Sequence, residues 1–212
     1  MAKKKINSNE HPYVDLGLPS GTLWAACNVG ASKPSDFGLY FQWGDIQGYT
    51  AEQVGKENGK KLFEWDDYKW DLYADGKAFS KYTTAGETLN LEDDAAHINM
   101  GGDWHIPSPE QINELLDNTT TEWILLDDEA FGMAFTSKNG KSIFIPAAGW
   151  AWWGSIYDIG SYGYIWSSVV DKDHVCEGKY IRDGKLLAFY SEGAYLKSES
   201  RDNGYSIRGV IG

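Results

Sequence analysis

SIFIPAAGWAWWGSIYDIGSYGYIWSS, residues Ser142 to Ser168, is the stretch on whose reading the fold turns. It opens with Ile143, Phe144 and Ile145, a short apolar run that reads as a buried strand, and passes through Pro146 and Gly149. It closes on Tyr164, Ile165 and Trp166 ahead of two serines. Between these anchors stand Trp150, Trp152, Trp153, Tyr157, Asp158 and Tyr162, spaced by Gly154, Gly160 and Gly163. So many rings and glycines fit neither a helical period nor an unbroken alternating strand, which puts some rings on loops. Rings on loops form either a satellite core or a binding surface.

Working outward, strand character recurs at Trp123–Leu126, Phe131–Thr136, Ser142–Ile145, Tyr164–Ser167, Lys179–Arg182, Leu186–Tyr190 and Tyr205–Ile211. Asn139-Gly140 and Asp183-Gly184 read as hairpin turns. Upstream, DWHIPSPEQINELLDN carries the clearest helix signal: Ser108 as N-cap, Pro109 at the first helical position, and Gln111 placed to complete a capping box. Ile112, Leu115 and Leu116 share one face of that helix, which should end near Asn118. LEDDAAHINMGG suits a second short helix, with acids at its N-terminal end and glycines as its stop. Nearer the N-terminus, Tyr13–Leu16 and Thr22–Val29 read as a hairpin turned at Pro19, Ser20 and Gly21. Residues 31–90 read as long irregular segments anchored through Phe41, Trp43, Phe63, Trp65, Trp70 and Tyr73. Helices early and strands late predict an α+β domain of two short helices beside a mostly antiparallel sheet.

The 212 residues are read as a single domain over 11–212, preceded by a disordered arm at 1–10. A net charge of -12, from 19 basic and 31 acidic groups, argues against nucleic acid as the partner. The basic start MAKKKINSNE lacks the apolar segment of a secretory signal, and no apolar run is long enough for a membrane span. Two cysteines, Cys27 and Cys176, do not make a disulfide scaffold. The 10 tryptophans, 13 tyrosines and 24 glycines are the stronger signal, since rigid rings presented by turns suit recognition.

Catalytic chemistry finds only loose pieces. His11, His97, His105 and His174 show no metal-ligand spacing, and His105, between Trp104 and Ile106, reads as a packed or hydrogen-bonded residue. His174 lies near Cys176, but spacing alone does not build an activated thiol, and a polar loop explains both. The pairs Asp66-Asp67, Asp93-Asp94 and Asp127-Asp128 fit no EF-hand loop, and solvated faces or helix ends explain them more cheaply.

The segments YVDLGLPSGTLWAACNVGA, LEDDAAHINMGGDWHIPS, IFIPAAGW, GSYGYIWSS and GYSIRGV, in this order, resemble the Fibrobacter succinogenes major paralogous domain, common in gut Bacteroidetes and their phages. The resemblance covers residues 11–211 and implies a C-type-lectin-like fold. That fold is similar to formylglycine-generating enzymes and to the variable proteins of diversity-generating retroelements. It implies a fixed frame at Pro146, Ala147, Ala148, Gly149, Gly160, Trp166, Ser167, Ser168, Gly204, Ser206 and Arg208, with the residues between them and the stretch 169–203 free to vary. Where such domains often carry a cysteine that could pair with the position of Cys27, this chain has Gly209, so Cys27 is expected as a buried free thiol, with a bridge to Cys176 as the alternative.

The expected function is non-enzymatic recognition of a surface protein or glycan, in the manner of an adhesin or phage receptor-binding protein displayed on a cell or virion. The expected contacts are Trp150, Trp152, Trp153, Tyr157, Asp158, Tyr162, Tyr164, Asp171, Asp173, His174, Glu177, Arg182, Tyr190, Glu192 and Tyr195, with Lys179, Lys197, Glu199 and Arg201 as further polar groups around the rings. No catalytic residue or metal ligand is assigned and no cofactor is expected, although a lectin-like fold raises the prospect of calcium. The alternatives are a structural or assembly subunit, which would bury Trp150–Trp166 between copies, and a relative of formylglycine-generating enzymes, whose cysteine motif is missing here.

Overall fold

Short apolar runs separated by turn residues form small antiparallel sheets rather than one large one in the computed structural model, which describes residues 11–54, 62–64, 68–70, 80–171, 175–176, 180–181 and 183–212. The predicted N-terminal hairpin is present but shorter than expected: β1 (Tyr13–Asp15) pairs with β2 (Leu23–Ala25). A single 3-10 turn at Leu91–Asp93 precedes α1 (Ala95–Met100), whose first turn is capped by the Asp94 carboxylate accepting from the His97 amide at 2.9 Å. Asp93 and Asp94 are therefore buried groups at the helix end and not a solvated face, while Glu92 is exposed. In α2 (Pro109–Asn118) both halves of the predicted capping box form: Ser108 Oγ accepts from the Gln111 amide, and Gln111 Oε1 accepts from the Ser108 amide. Ile112 and Leu115 are buried on its inner face.

β3 (Thr119–Leu126) follows α2 without a loop, starting at Thr119 where a start at Trp123 was expected. It joins β4 (Ala130–Ser137) and β5 (Ser142–Pro146) in the order β3-β4-β5. Asn139-Gly140 turns the β4–β5 hairpin as predicted. Asp127 and Asp128, both in the left-handed region, turn the β3–β4 hairpin, which accounts for that acidic pair.

Next come β6 (Trp150–Trp152), β7 (Ser155–Tyr157), β8 (Tyr162–Val170), β9 (Val175–Cys176), β10 (Tyr180–Ile181), β11 (Asp183–Tyr190), β12 (Gly193–Ser200) and β13 (Val210–Ile211). β6 pairs with β7, β9 with β10, and β13 extends the N-terminal hairpin on β2; β12-β11-β8 forms the central sheet. Two stretches differ from what their sequence predicts. Asp183-Gly184 is not a turn but the first two residues of β11, paired with Ser200 and Glu199 of β12. Its glycine serves a distant ring: a Cβ at Gly184 would lie 2.7 Å from the Trp43 indole. Tyr205–Ile211 is not one strand, because Tyr205 and Ser206 make isolated bridges to Phe41 and Ile165, and only Val210–Ile211 pairs as strand.

The central sheet is covered on both faces. Ile165, Leu187 and Phe189 pack with Ile112 and Leu115 of α2, and with Phe135 and Ile145 of the neighbouring sheet. Trp166, Leu186 and Ala188 pack on the other side with Phe41, Trp43, Tyr68, Trp70 and Tyr82. The long irregular segments are thus anchored as expected through Phe41, Trp43, Phe63 and Trp70, all buried; Trp65, Tyr73 and the Asp66-Asp67 pair lie outside the described residues, as does the arm at 1–10.

Trp166 sits at the centre of this second face. Its Nε1 donates to the Phe41 carbonyl at 2.8 Å, and its ring meets Tyr205 edge-on at 4.7 Å. Replacing Trp166 with Ala should lower unfolding stability by about 3–5 kcal/mol in a denaturant titration. Wild-type stability in that variant would remove the ring from the core.

Candidate binding surface

The β6–β7 hairpin and the solvent end of the central sheet carry a continuous band of rings. Trp153 leans on Trp152 at 5.7 Å, Trp152 stacks on Trp150 at 6.2 Å, and Tyr157 lies 5.1 Å from Trp150. Trp150 stacks on Tyr205, which touches Tyr164 at 5.1 Å. From Tyr164 the band runs on through stacked Tyr162 and Tyr190 to Tyr195. Strand alternation explains the second half: Tyr162 pairs with Tyr190, and Tyr164 pairs across Ala188 with Tyr195, so all four phenols share one face.

Exposure divides the band into two open ends joined by a buried bridge. Trp152, Trp153 and Tyr157 are 40%, 52% and 39% exposed, and Tyr162 and Tyr195 are 36% and 42% exposed. Trp150 and Tyr190 are half-buried. Tyr164, expected among the displayed rings, is only 8% exposed because Tyr205 lies against it. Tyr205 was missed as part of the band, and its buried phenol accepts from Asn203 Nδ2 at 3.3 Å.

Of the polar residues expected at the site, Asp158 and Glu192 are exposed beside the rings. Asp158 Oδ2 accepts from Trp150 Nε1 at 3.0 Å, which fixes that indole. Asp171 is not on the surface: it is buried, ion-paired with Lys185 at 2.9 Å, and accepts from Ser198 Oγ. Asp173, His174, Glu177 and Arg182 lie outside the described residues. Of the further polar groups expected around the rings, Lys197 and Glu199 join the band, Arg201 is fully buried instead, and Lys179 lies outside the described residues. Lys197 and Glu199 form an ion pair on β12 in alternation with Tyr195.

The band sits in a negative field. Burial first, and then the Asp158 and Glu199 carboxylates, push the Tyr164 phenol well above its ordinary range. Burial and Glu199 do the same to Tyr205 against the opposing bond from Asn203, and desolvation followed by Glu192 raises Tyr190.

Away from the band, a cavity of about 390 Å³ is lined by His11, Cys27, Asn28, Met100 and neighbours, and it shares no residue with the rings. Cys27 is a free thiol, half-buried where full burial was expected. Burial pushes its pKa up against the opposing Arg208 charge, which disfavours the thiolate a nucleophile needs. A side chain at Gly209 would meet the Met100 sulfur at 2.7 Å, so that space is already filled. His105 is held at the chain end, with Nδ1 3.1 Å from the Ile106 carbonyl. Among the described residues, no group of three or more His, Cys, Asp or Glu side chains is gathered as a metal ion would require. Also among them, no helix is long and apolar enough to cross a membrane. Compared with protein-family models, with curated proteins and with solved structures, the chain gives no match.

The tip of the β6–β7 hairpin is strained. Trp153 and Gly154 form its two-residue loop with φ of 47° and 72°, a geometry that favours Asn-Gly and disfavours a bulky first residue. Hydrogen bonds from the Trp153 and Gly154 amides to the Phe63 and Leu62 carbonyls, at 3.1 and 2.8 Å, hold the tip in place. Strain of this kind gathers at functional sites. Trp153→Asn should therefore leave stability unchanged or raise it by up to about 1 kcal/mol in thermal unfolding. A loss of more than about 2 kcal/mol would make Trp153 a packing residue instead.

Proposed function

We propose that the chain is a non-enzymatic recognition domain that binds a protein or glycan ligand through the aromatic band. One observation carries this reading: large rings stand open to solvent on a hairpin and sheet whose other side is locked into the core. Exposed tryptophans and tyrosines in a contiguous patch are costly in solution and suit a ligand-binding face. The separation of frame from display supports the further reading as a C-type-lectin-like variable protein of the retroelement-diversified kind. Pro146, Ala147, Ala148, Trp166, Ser167, Ser168, Ser206 and Arg208 are buried, while Trp152, Trp153, Tyr157, Asp158 and Tyr162 are exposed. The reading calls for no cofactor and places the domain on a cell or virion surface.

Panels of surface proteins and glycans, probed with wild type and with the Trp152→Ala, Trp153→Ala, Tyr157→Ala triple variant, test the proposal. Ligands bound by wild type should be lost in the variant while its melting curve stays nearly unchanged. Retained binding, or a collapsed melting curve, would return these rings to a structural role. Dissociation of a wild-type oligomer on triple substitution would favour an assembly subunit instead.

A further inference from the structure

Each open end of the band pairs its rings with a carboxylate. Asp158 follows β7 and lies beside Trp150, Trp152 and Tyr157; its left-handed backbone, φ 60°, and its bond from Trp150 Nε1 set its place. Glu192 stands in the β11–β12 turn beside Tyr190 and Tyr195. Between them, Glu199 is already paired with Lys197, the one cation on this face among the described residues of β6–β8, β11 and β12. Ring faces are electron-rich, and a carboxylate at their edge makes the same spot attractive to a cation. The net charge of -12 extends that preference, drawing a basic partner in and repelling an acidic one, whereas a neutral sugar gains nothing from it.

Resting on the binding reading above, we propose that the band takes a protein partner through exposed arginine and lysine side chains, which lie across the rings and pair with Asp158 and Glu192. Each end then acts as an aromatic cradle closed by one acid, and the bridge of half-buried Trp150 with buried Tyr205 and Tyr164 fixes their separation.

The test uses an arginine–glycine repeat peptide as probe and a glutamine–glycine repeat as its uncharged counterpart, with binding followed by calorimetry. Wild type should bind the arginine peptide and not the glutamine one. The Asp158→Asn, Glu192→Gln double variant should lose at least about tenfold in affinity. Asparagine tolerates the left-handed backbone and still accepts from Trp150, so the fold should hold, as a melting curve checks. A control pair on α2, Glu110→Gln with Asp117→Asn, removes the same charge away from the rings and should change affinity by less than about twofold. Equal loss in the control pair, equal binding of the glutamine peptide, or no binding of either peptide overturns the inference. A neutral glycan that binds wild type and the Asp158→Asn, Glu192→Gln variant alike, yet fails on the triple ring variant, overturns the cationic partner and keeps the binding face. Ligands unaffected by the triple ring variant would sink the binding face itself.

Discussion

The buried guanidinium of Arg208 is the interaction on which the frame depends. It is fully enclosed and donates to three neutral oxygens from separate parts of the chain: Asn28 Oδ1 at 3.0 Å, the Ala25 carbonyl at 3.0 Å and the Phe144 carbonyl at 2.9 Å. Burial pulls its pKa down, yet an arginine stays charged where a lysine would give up its proton. Three bonds in a planar fork tie the N-terminal hairpin, the strand leading into the ring-bearing stretch, and the C-terminal segment to one point. Losing the fork would strand each acceptor in the interior, at about 1–3 kcal/mol apiece.

From that point outward the rings are positioned by other rings. Trp166 and Trp43 each donate to a backbone carbonyl, of Phe41 and Ser167 respectively, which sews the irregular N-terminal half onto β8. Arg201, also buried, lies 5.4 Å from the Trp43 ring and donates to the Tyr82 carbonyl at 3.1 Å. Lys69, Lys81 and Tyr82 converge on Asp93, and together their bonds outweigh its burial and hold its carboxyl below the ordinary range. Tyr205 then passes this rigidity to Tyr164 and Trp150, so the exposed rings begin one layer above a fixed floor. A preformed face of this kind binds without first having to order itself.

What was legible in the sequence was what is local. The Ser108–Gln111 capping box, the Asn139-Gly140 turn and the apolar run at Ile143–Ile145 depend on neighbours a few residues away, and each formed. Failures trace to distant partners. Gly184 looks like a turn glycine until Trp43 is seen occupying the space of its side chain. β12 carries Lys197, Ser198, Glu199 and Ser200 and is missing from the predicted strands; its pairing along the whole of β11 makes it a strand. Tyr162 and Tyr164 are alike in sequence and share a face, and only Tyr205, far along the chain, decides that one is covered and the other open. Asp171 is polar and was placed at the surface, but Lys185 and Ser198 reach it across two strands and draw it inside.

The central claim is that Trp152 and Trp153 stand exposed to solvent on a rigid frame rather than buried against another copy. Hydroxyl-radical footprinting of the unliganded protein, with its mass in solution measured by light scattering, tests this most directly. The expected result is a monomer in which Trp152 and Trp153 are oxidised readily while Trp24, Trp43 and Trp166 are protected. An oligomer in which Trp152 and Trp153 are protected as well would contradict it.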